Sequence, residues 1–186
     1  MRKTILLIFI ISNLLYLQAD MISGINIKNN IQIQKEKLYL NGAGMRSILF
    51  FDLYIGALYL KSNLDNAKDI ILLKKPMDIR MYITSSLVFS GKLKSGFKEA
   101  FEKSKESGFS TKKSKINRFL NSFDAKIQKK DIFDFLYLPK TGVTIYKNGT
   151  LLRTVKGYNF KKALFGIWLG KYPAQESLKE KMLGRQ

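Results

Sequence analysis

The sequence predicts an α+β domain, an antiparallel sheet with a layer of helices on one side, and three observations lead there. Apolar residues recur in blocks: two-residue alternation, then helical spacing, then alternation again, then a closing helical stretch. Asn148-Gly149 stands between two alternating runs and is the strongest hairpin signal in the chain, because both residues tolerate the positive φ of a type I′ turn. Of 186 residues, 46 % are hydrophobic and 12 % aromatic, which suffices to fill one core, and only three prolines interrupt the chain.

The elements follow in order. Arg2 and Lys3 precede an apolar run from Ile5 to Leu17 broken only by Ser12 and Asn13, and Gln18, Ala19 and Asp20 restore polar character. A charged start, a core of about a dozen apolar residues and a small residue at the end make a secretory signal peptide. The run is short for a membrane span, which needs about 20 apolar residues. We expect residues 1–19 to be the leader, with cleavage after Ala19, and residues 20–186 to form a single domain in the periplasm or another exported compartment. No Cys follows the leader, so a lipid anchor on cysteine is excluded.

Ile25, Ile27, Ile31 and Ile33 alternate around Asn29-Asn30 and predict an early strand pair or a bent edge strand. A strand over 38–40 leads to an expected turn at Asn41-Gly42-Ala43-Gly44, and residues 48–60 form the most strongly β-like segment. A short helix over 64–73 stops before Pro76, since the residue preceding proline resists α geometry. Residues 77–84 alternate as a strand. Leu93, Phe97, Ala100 and Phe101 mark a helix over 92–105, and Ile116, Phe119, Leu120 and Phe123 mark one over 116–127. Strands over 133–138, 142–147 and 151–156 and helices over 160–169 and 175–183 complete the chain.

Composition removes whole classes of chemistry. Without Cys or His there is no Ser-His-Asp triad, no thiolate nucleophile, no Cys/His zinc site and no disulfide, and the 14 acids form no dense cluster that suggests a metal. Neither a cofactor nor a metal is expected. The 33 basic residues against 14 acidic ones set a formal charge of +19, and 31 of the 33 stay with residues 20–186, which keep +17. That surplus invites a nucleic-acid reading. However, 27 of the 33 are Lys and only 6 are Arg, whereas phosphate and base recognition favour the planar guanidinium fork. We expect no nucleic-acid partner, and an evenly solvated Lys surface or an anionic membrane instead.

Three features stand out as candidate chemistry. Gly42-Ala43-Gly44-Met45-Arg46 places one Arg at the mouth of the long strand, and no helix follows it as a phosphate loop would require. Along that strand Phe51, Leu53, Ile55, Ala57 and Tyr59 share one face, while Phe50, Asp52, Tyr54, Gly56 and Leu58 share the other. The second face mixes apolar bulk with polar groups, as a pocket wall or a solvent-facing side would. Trp168, the single Trp, lies in an apolar helix ending at Gly170, where core packing is the simpler role.

The segments "GAGMRSILFFDLYIGALYL" (42–60) and "ALFGIWLGKYPAQESLKEKMLG" (163–184) resemble the chalcone isomerase-like superfamily, in its exported bacterial branch. The resemblance implies an open-faced α+β sandwich with a ligand cleft between sheet and helices. The superfamily includes isomerases that cyclise a phenolic ketone without cofactor and proteins that bind fatty acids. By resemblance Arg46 matches the arginine that meets an oxyanion or a carboxylate, and Tyr54 stands where the isomerases carry a threonine hydroxyl. Phe97 and Ser104 fall where they have a helical Tyr and an Asn, and Gln175 where they have a late Ser/Thr. Arg46 is kept and much of the cyclisation set is not.

The sequence therefore leads us to expect a domain that binds a small amphipathic ligand, a fatty or other apolar carboxylic acid, through Arg46 and Tyr54, with its tail near Phe97 and Phe101. A phenolic ligand would use the same groups. The alternative is a cofactor-free isomerase or intramolecular lyase in which Arg46 stabilises an oxyanion and Tyr54 or a pocket Lys transfers the proton. A further alternative is an envelope interaction module, docking anionic lipid or an acidic partner through the Lys-rich stretch 103–115.

Overall fold

The structure, a computed structural model, describes residues 20–185; the expected leader lies outside the described residues. Seven strands pair antiparallel in chain order, β3 (Asn30–Ile33), β4 (Glu36–Ile48), β5 (Phe51–Leu60), β6 (Met77–Ile83), β7 (Ile132–Leu138), β8 (Gly142–Lys147) and β9 (Thr150–Val155). Two short strands, β1 (Asp20–Ile22) and β2 (Ile25–Ile27), make a separate hairpin ahead of them. The early isoleucines thus split between that hairpin and an edge strand. Asn148 and Gly149 adopt φ of 50° and 80° and join β8 to β9, as the hairpin signal predicts.

Five helices lie among the described residues: α1 (Ala67–Leu72), α2 (Ser90–Glu106), α3 (Lys113–Leu120), α4 (Tyr158–Leu169) and α5 (Glu176–Met182). Asn66 caps α1, its side-chain oxygen accepting from the Asp69 N–H at 3.1 Å. The helix predicted over 116–127 ends earlier than expected. It passes into a 3-10 turn at Asn121–Phe123, where Asn121 and Ser122 favour local turns over helix.

The helices cover one face of the sheet, and their shared core is aromatic. Phe97 of α2 meets Phe119 edge-on at 4.9 Å and stacks on Phe123 at 5.1 Å, and Phe135 of β7 reaches Trp168 of α4 at 5.7 Å between centroids. Truncating the fully buried Phe119 to Ala would cost about 3–5 kcal/mol, since so close-packed a cluster collapses only in part around the cavity left behind. The opposite face carries a second apolar layer of Ile27, Ile31, Leu38, Ile55, Tyr59 and Leu136. The N-terminal strands help to form that layer, so Ile55, Ala57 and Tyr59 are buried away from the helices while Leu58 is buried against them.

Two expectations about the long strand are corrected. Gly42 to Gly44 make no turn; they lie inside β4, paired with Leu58 to Gly56. Their lack of side chains serves close approach, because a Cβ on Gly42 would stand 2.0 Å from the Lys181 carbonyl oxygen and would push α5 off the sheet. The segment 48–60 is not one strand either. Leu49 and Phe50 form the turn between β4 and β5, with Leu49 at φ 54°, and no Gly, Asn or Asp announces it.

Candidate functional site

Pairing of β4 with β5 sets Arg46 directly across from Tyr54. Ser47 pairs with Asp52, so Leu53 is the extra residue of a bulge. The alternation that would separate Leu53 from Tyr54 is broken there, and both face the same space together with Phe51. That space is a cavity of about 360 Å³ between β4–β6 and α2, within the usual range of about 300–1,000 Å³ for small-molecule sites. Leu53, Met81, Val88, Leu93, Phe97 and Ile167 supply its apolar wall, and Arg46, Tyr54, Lys92, Lys103 and Glu99 its polar groups.

Arg46 is held in place by its neighbours. Its Nη1 donates to the Ser47 carbonyl at 2.6 Å and to Gln175 Oε1 at 3.0 Å, and the same Oε1 accepts from the Ser47 N–H at 3.0 Å. Gln175 in turn donates from Nε2 to Ser177 Oγ at 2.6 Å, so the start of α5 locks the arginine at the cavity wall. Among the described residues no group accepts from Arg46 Nε or Nη2, which leaves a guanidinium edge suited to a carboxylate.

Tyr54 is polarised in one direction. Trp168 Nε1, which can only donate, gives its hydrogen to the Tyr54 oxygen at 3.1 Å. The phenolic hydrogen is then available to a second acceptor. Burial raises the Tyr54 pKa, against smaller opposing effects of the Trp168 hydrogen bond and the Arg46 charge, so the hydroxyl keeps its proton at neutral pH. Arg46 and Tyr54 together present a cation and a hydroxyl donor to one end of an apolar cavity.

Of the other expected site residues, Phe97 lines the cavity while also standing in the aromatic core. Phe101 does not line it. One turn further along α2, its ring packs against Phe119 at 5.6 Å and Phe160 at 6.0 Å, because the i+4 step carries it toward α3 and α4. Ser104 is buried and donates to the Ala163 carbonyl at 2.7 Å, a tie between α2 and α4. The Lys-rich stretch 103–115 is not a single surface element; it runs from α2 into α3, and only Lys103 reaches the cavity.

Several lining residues were not anticipated, chiefly Gly96, Lys92, Glu99 and Lys103 on α2. The signal was present: Leu93, Gly96, Phe97 and Ala100 follow i, i+3, i+4, i+7 spacing, but two of the four are small. A Cβ on Gly96 would meet nothing within 4 Å. Small residues on a core-facing stripe are where a helix leaves room. Trp168 has both roles, ring packing and the hydrogen bond that orients Tyr54.

Comparison with solved structures finds a fatty-acid binding protein of Arabidopsis thaliana at a TM-score of 0.69 and 19 % identity, covering 86 % of this chain and 92 % of that one. At that identity the likeness shows a common fold, the antiparallel sheet with helices packed on one face. Comparison with curated protein sequences finds no match. The chalcone isomerase-like family model matches residues 19–184, nearly the whole described chain, and the protein belongs to that family.

Proposed function

We propose that this domain binds a small amphipathic carboxylic acid, with the headgroup on Arg46 and Tyr54 and the apolar tail between the sheet and α2. One observation carries the reading: an apolar cavity whose wall places an arginine edge and a phenolic donor on adjoining strands. The fatty acid named for the Arabidopsis neighbour is a ligand of this kind. An isomerase would need a proton acceptor beside its substrate, whereas Tyr54 is a donor held protonated and the carboxylate lining the cavity, Glu99, is paired with Lys103 at 3.0 Å, so the geometry favours holding a ligand over cyclising one.

Titration of the full chain with saturated acids of increasing length tests the proposal. One acid should bind per chain, more tightly as the tail lengthens until the cavity is full. Equal affinity for every length, or no saturable binding, would overturn it. Turnover of a chalcone-type substrate that is lost in Arg46→Ala would instead establish the isomerase.

Export belongs to the same proposal and rests on the leader-like residues 1–19. N-terminal sequencing of the chain from its own cells should begin at Asp20. A start at Met1 would refute cleavage.

A further inference from the structure

Four consecutive apolar residues form the tip of the β4–β5 hairpin. Leu49 and Phe50 are 86 % and 97 % exposed, and Ile48 and Phe51 behind them 49 % and 57 %. Single exposed apolar residues need no explanation, but a contiguous group marks a contact surface. Turn geometry does not call for it. Leucine is disfavoured at the φ of 54° that Leu49 adopts, where glycine or asparagine sits at ease. The tip is also continuous with the ligand cavity, since Ile48, Phe51 and the exposed Leu87 line its mouth. Beyond Leu87, Phe89 is half exposed beneath Lys92, whose Nζ lies 5.8 Å from the ring centroid.

We propose that this hairpin tip docks the domain on the surface of an anionic lipid bilayer, with Leu49 and Phe50 inserted among the acyl chains and the cavity mouth turned toward the lipid. Charge selects this occupant over a protein groove. Residues 20–186 hold 31 basic against 14 acidic residues, a charge of +17; Arg46 and Lys92 stand at the cavity, Glu99 is paired with Lys103 at 3.0 Å, and Asp52, hydrogen-bonded to Ser47 Oγ at 2.7 Å, is outnumbered by these cations. Aromatic and aliphatic side chains on a basic body form the composition that adsorbs at a lipid interface. The inference goes beyond ligand binding, because adsorption requires no acid in the cavity; it would nevertheless give an apolar acid a route from bilayer to cavity without crossing water.

The absence of cysteine from the sequence makes the test clean. An environment-sensitive fluorophore is attached to the full-length variants Phe50→Cys and Leu151→Cys, the latter 55 % exposed on β9. Each is mixed with vesicles of phosphatidylcholine containing phosphatidylglycerol. Emission at position 50 should rise, shift to the blue and be quenched by acyl-chain quenchers, while position 151 stays unchanged. The unlabelled Leu49→Ser/Phe50→Ser variant, with its melting temperature retained, should partition at least about tenfold more weakly. No response at position 50, an equal response at both positions, or undiminished partitioning of the Ser variant would overturn the proposal. A lipid-free dimer in the ultracentrifuge that the Ser variant dissolves would overturn it as well, assigning the tip to self-association. None of these outcomes touches acid binding, which titration without lipid measures separately.

Discussion

Replacing Arg46 by Met removes the cation and keeps most of the apolar stem, so it isolates the headgroup interaction. The guanidinium has five N–H donors. Two, on Nη1, are taken by the Ser47 carbonyl and Gln175 Oε1, which leaves three without an acceptor among the described residues on a side chain that lines the cavity. A hydrogen bond to a charged group contributes about 1.5–3 kcal/mol, or roughly 10- to 150-fold in affinity. The wet mouth of the cavity places the effect in the lower half of that range, because water screens the pair. The assay is competitive displacement of a fluorescent acid by a fatty acid and by the alcohol of equal chain length. The parent should prefer the acid by about 10- to 50-fold. In Arg46→Met that preference should nearly vanish while the alcohol binds as before. An undiminished preference for the acid in the variant would refute the headgroup assignment outright, whatever the absolute affinity.

Four other perturbations test the surroundings. Tyr54→Phe removes the hydroxyl that Trp168 orients and should weaken acid binding by about 0.5–1.5 kcal/mol in the same displacement assay. Gly96→Ala should stabilise the fold by about 0.5–1 kcal/mol in urea titration, as the added Cβ meets nothing, whereas Gly96→Leu should fill the cavity and abolish acid binding. Asp78 is buried with no hydrogen-bond partner among the described residues, and burial, then the Asp134 charge, push its pKa well up. Its raised folded pKa means a stability contribution complete below about pH 4 and lost as pH rises through the folded value, so Asp78→Asn should gain stability over the parent with rising pH. Lys161 donates to the carbonyls of Ile70, Ile71 and Leu73 at 2.7–2.9 Å, and burial with Lys162 nearby lowers its pKa to about 7. The unfolded chain then holds the extra proton between about pH 7 and 10, so stability should rise across that window; Lys161→Met should erase this slope and cost about 2–4 kcal/mol by leaving the end of α1 uncapped.

The layered plan was legible because it depends on periodicity. The strand at 77–84, the helix at 92–105 and the Asn148-Gly149 hairpin all follow from spacing and turn chemistry that act locally. The boundaries that sequence reasoning misplaced depend on tertiary contact. Gly42 and Gly44 look like turn residues by composition, but what requires them is α5, some 140 residues later, lying against β4. Leu49-Phe50 lacks every turn signal, since its identity answers to the surface it presents and not to the turn it makes. In the site, Arg46 was visible as an isolated arginine at the mouth of a β-rich segment. Gln175, which locks it, and Trp168, which orients Tyr54, act through contacts across 129 and 114 residues that no local pattern encodes.

One local irregularity connects these levels. Without the bulge at Leu53, strict alternation would turn either Leu53 or Tyr54 toward the second apolar layer, and the cavity would lose its wall or its donor. The extra residue lets β5 serve two faces. From Ile55 to Leu60 it alternates between the two cores, and from Phe51 to Tyr54 it devotes Phe51, Leu53 and Tyr54 to the cavity. Phe51, the first residue of β5, stays half exposed at the mouth, and Phe50 of the preceding turn projects beyond it. The bulge that builds the binding wall and the apolar tip at its entrance are consecutive on one hairpin, which ties the geometry of ligand binding to the surface from which the ligand would arrive.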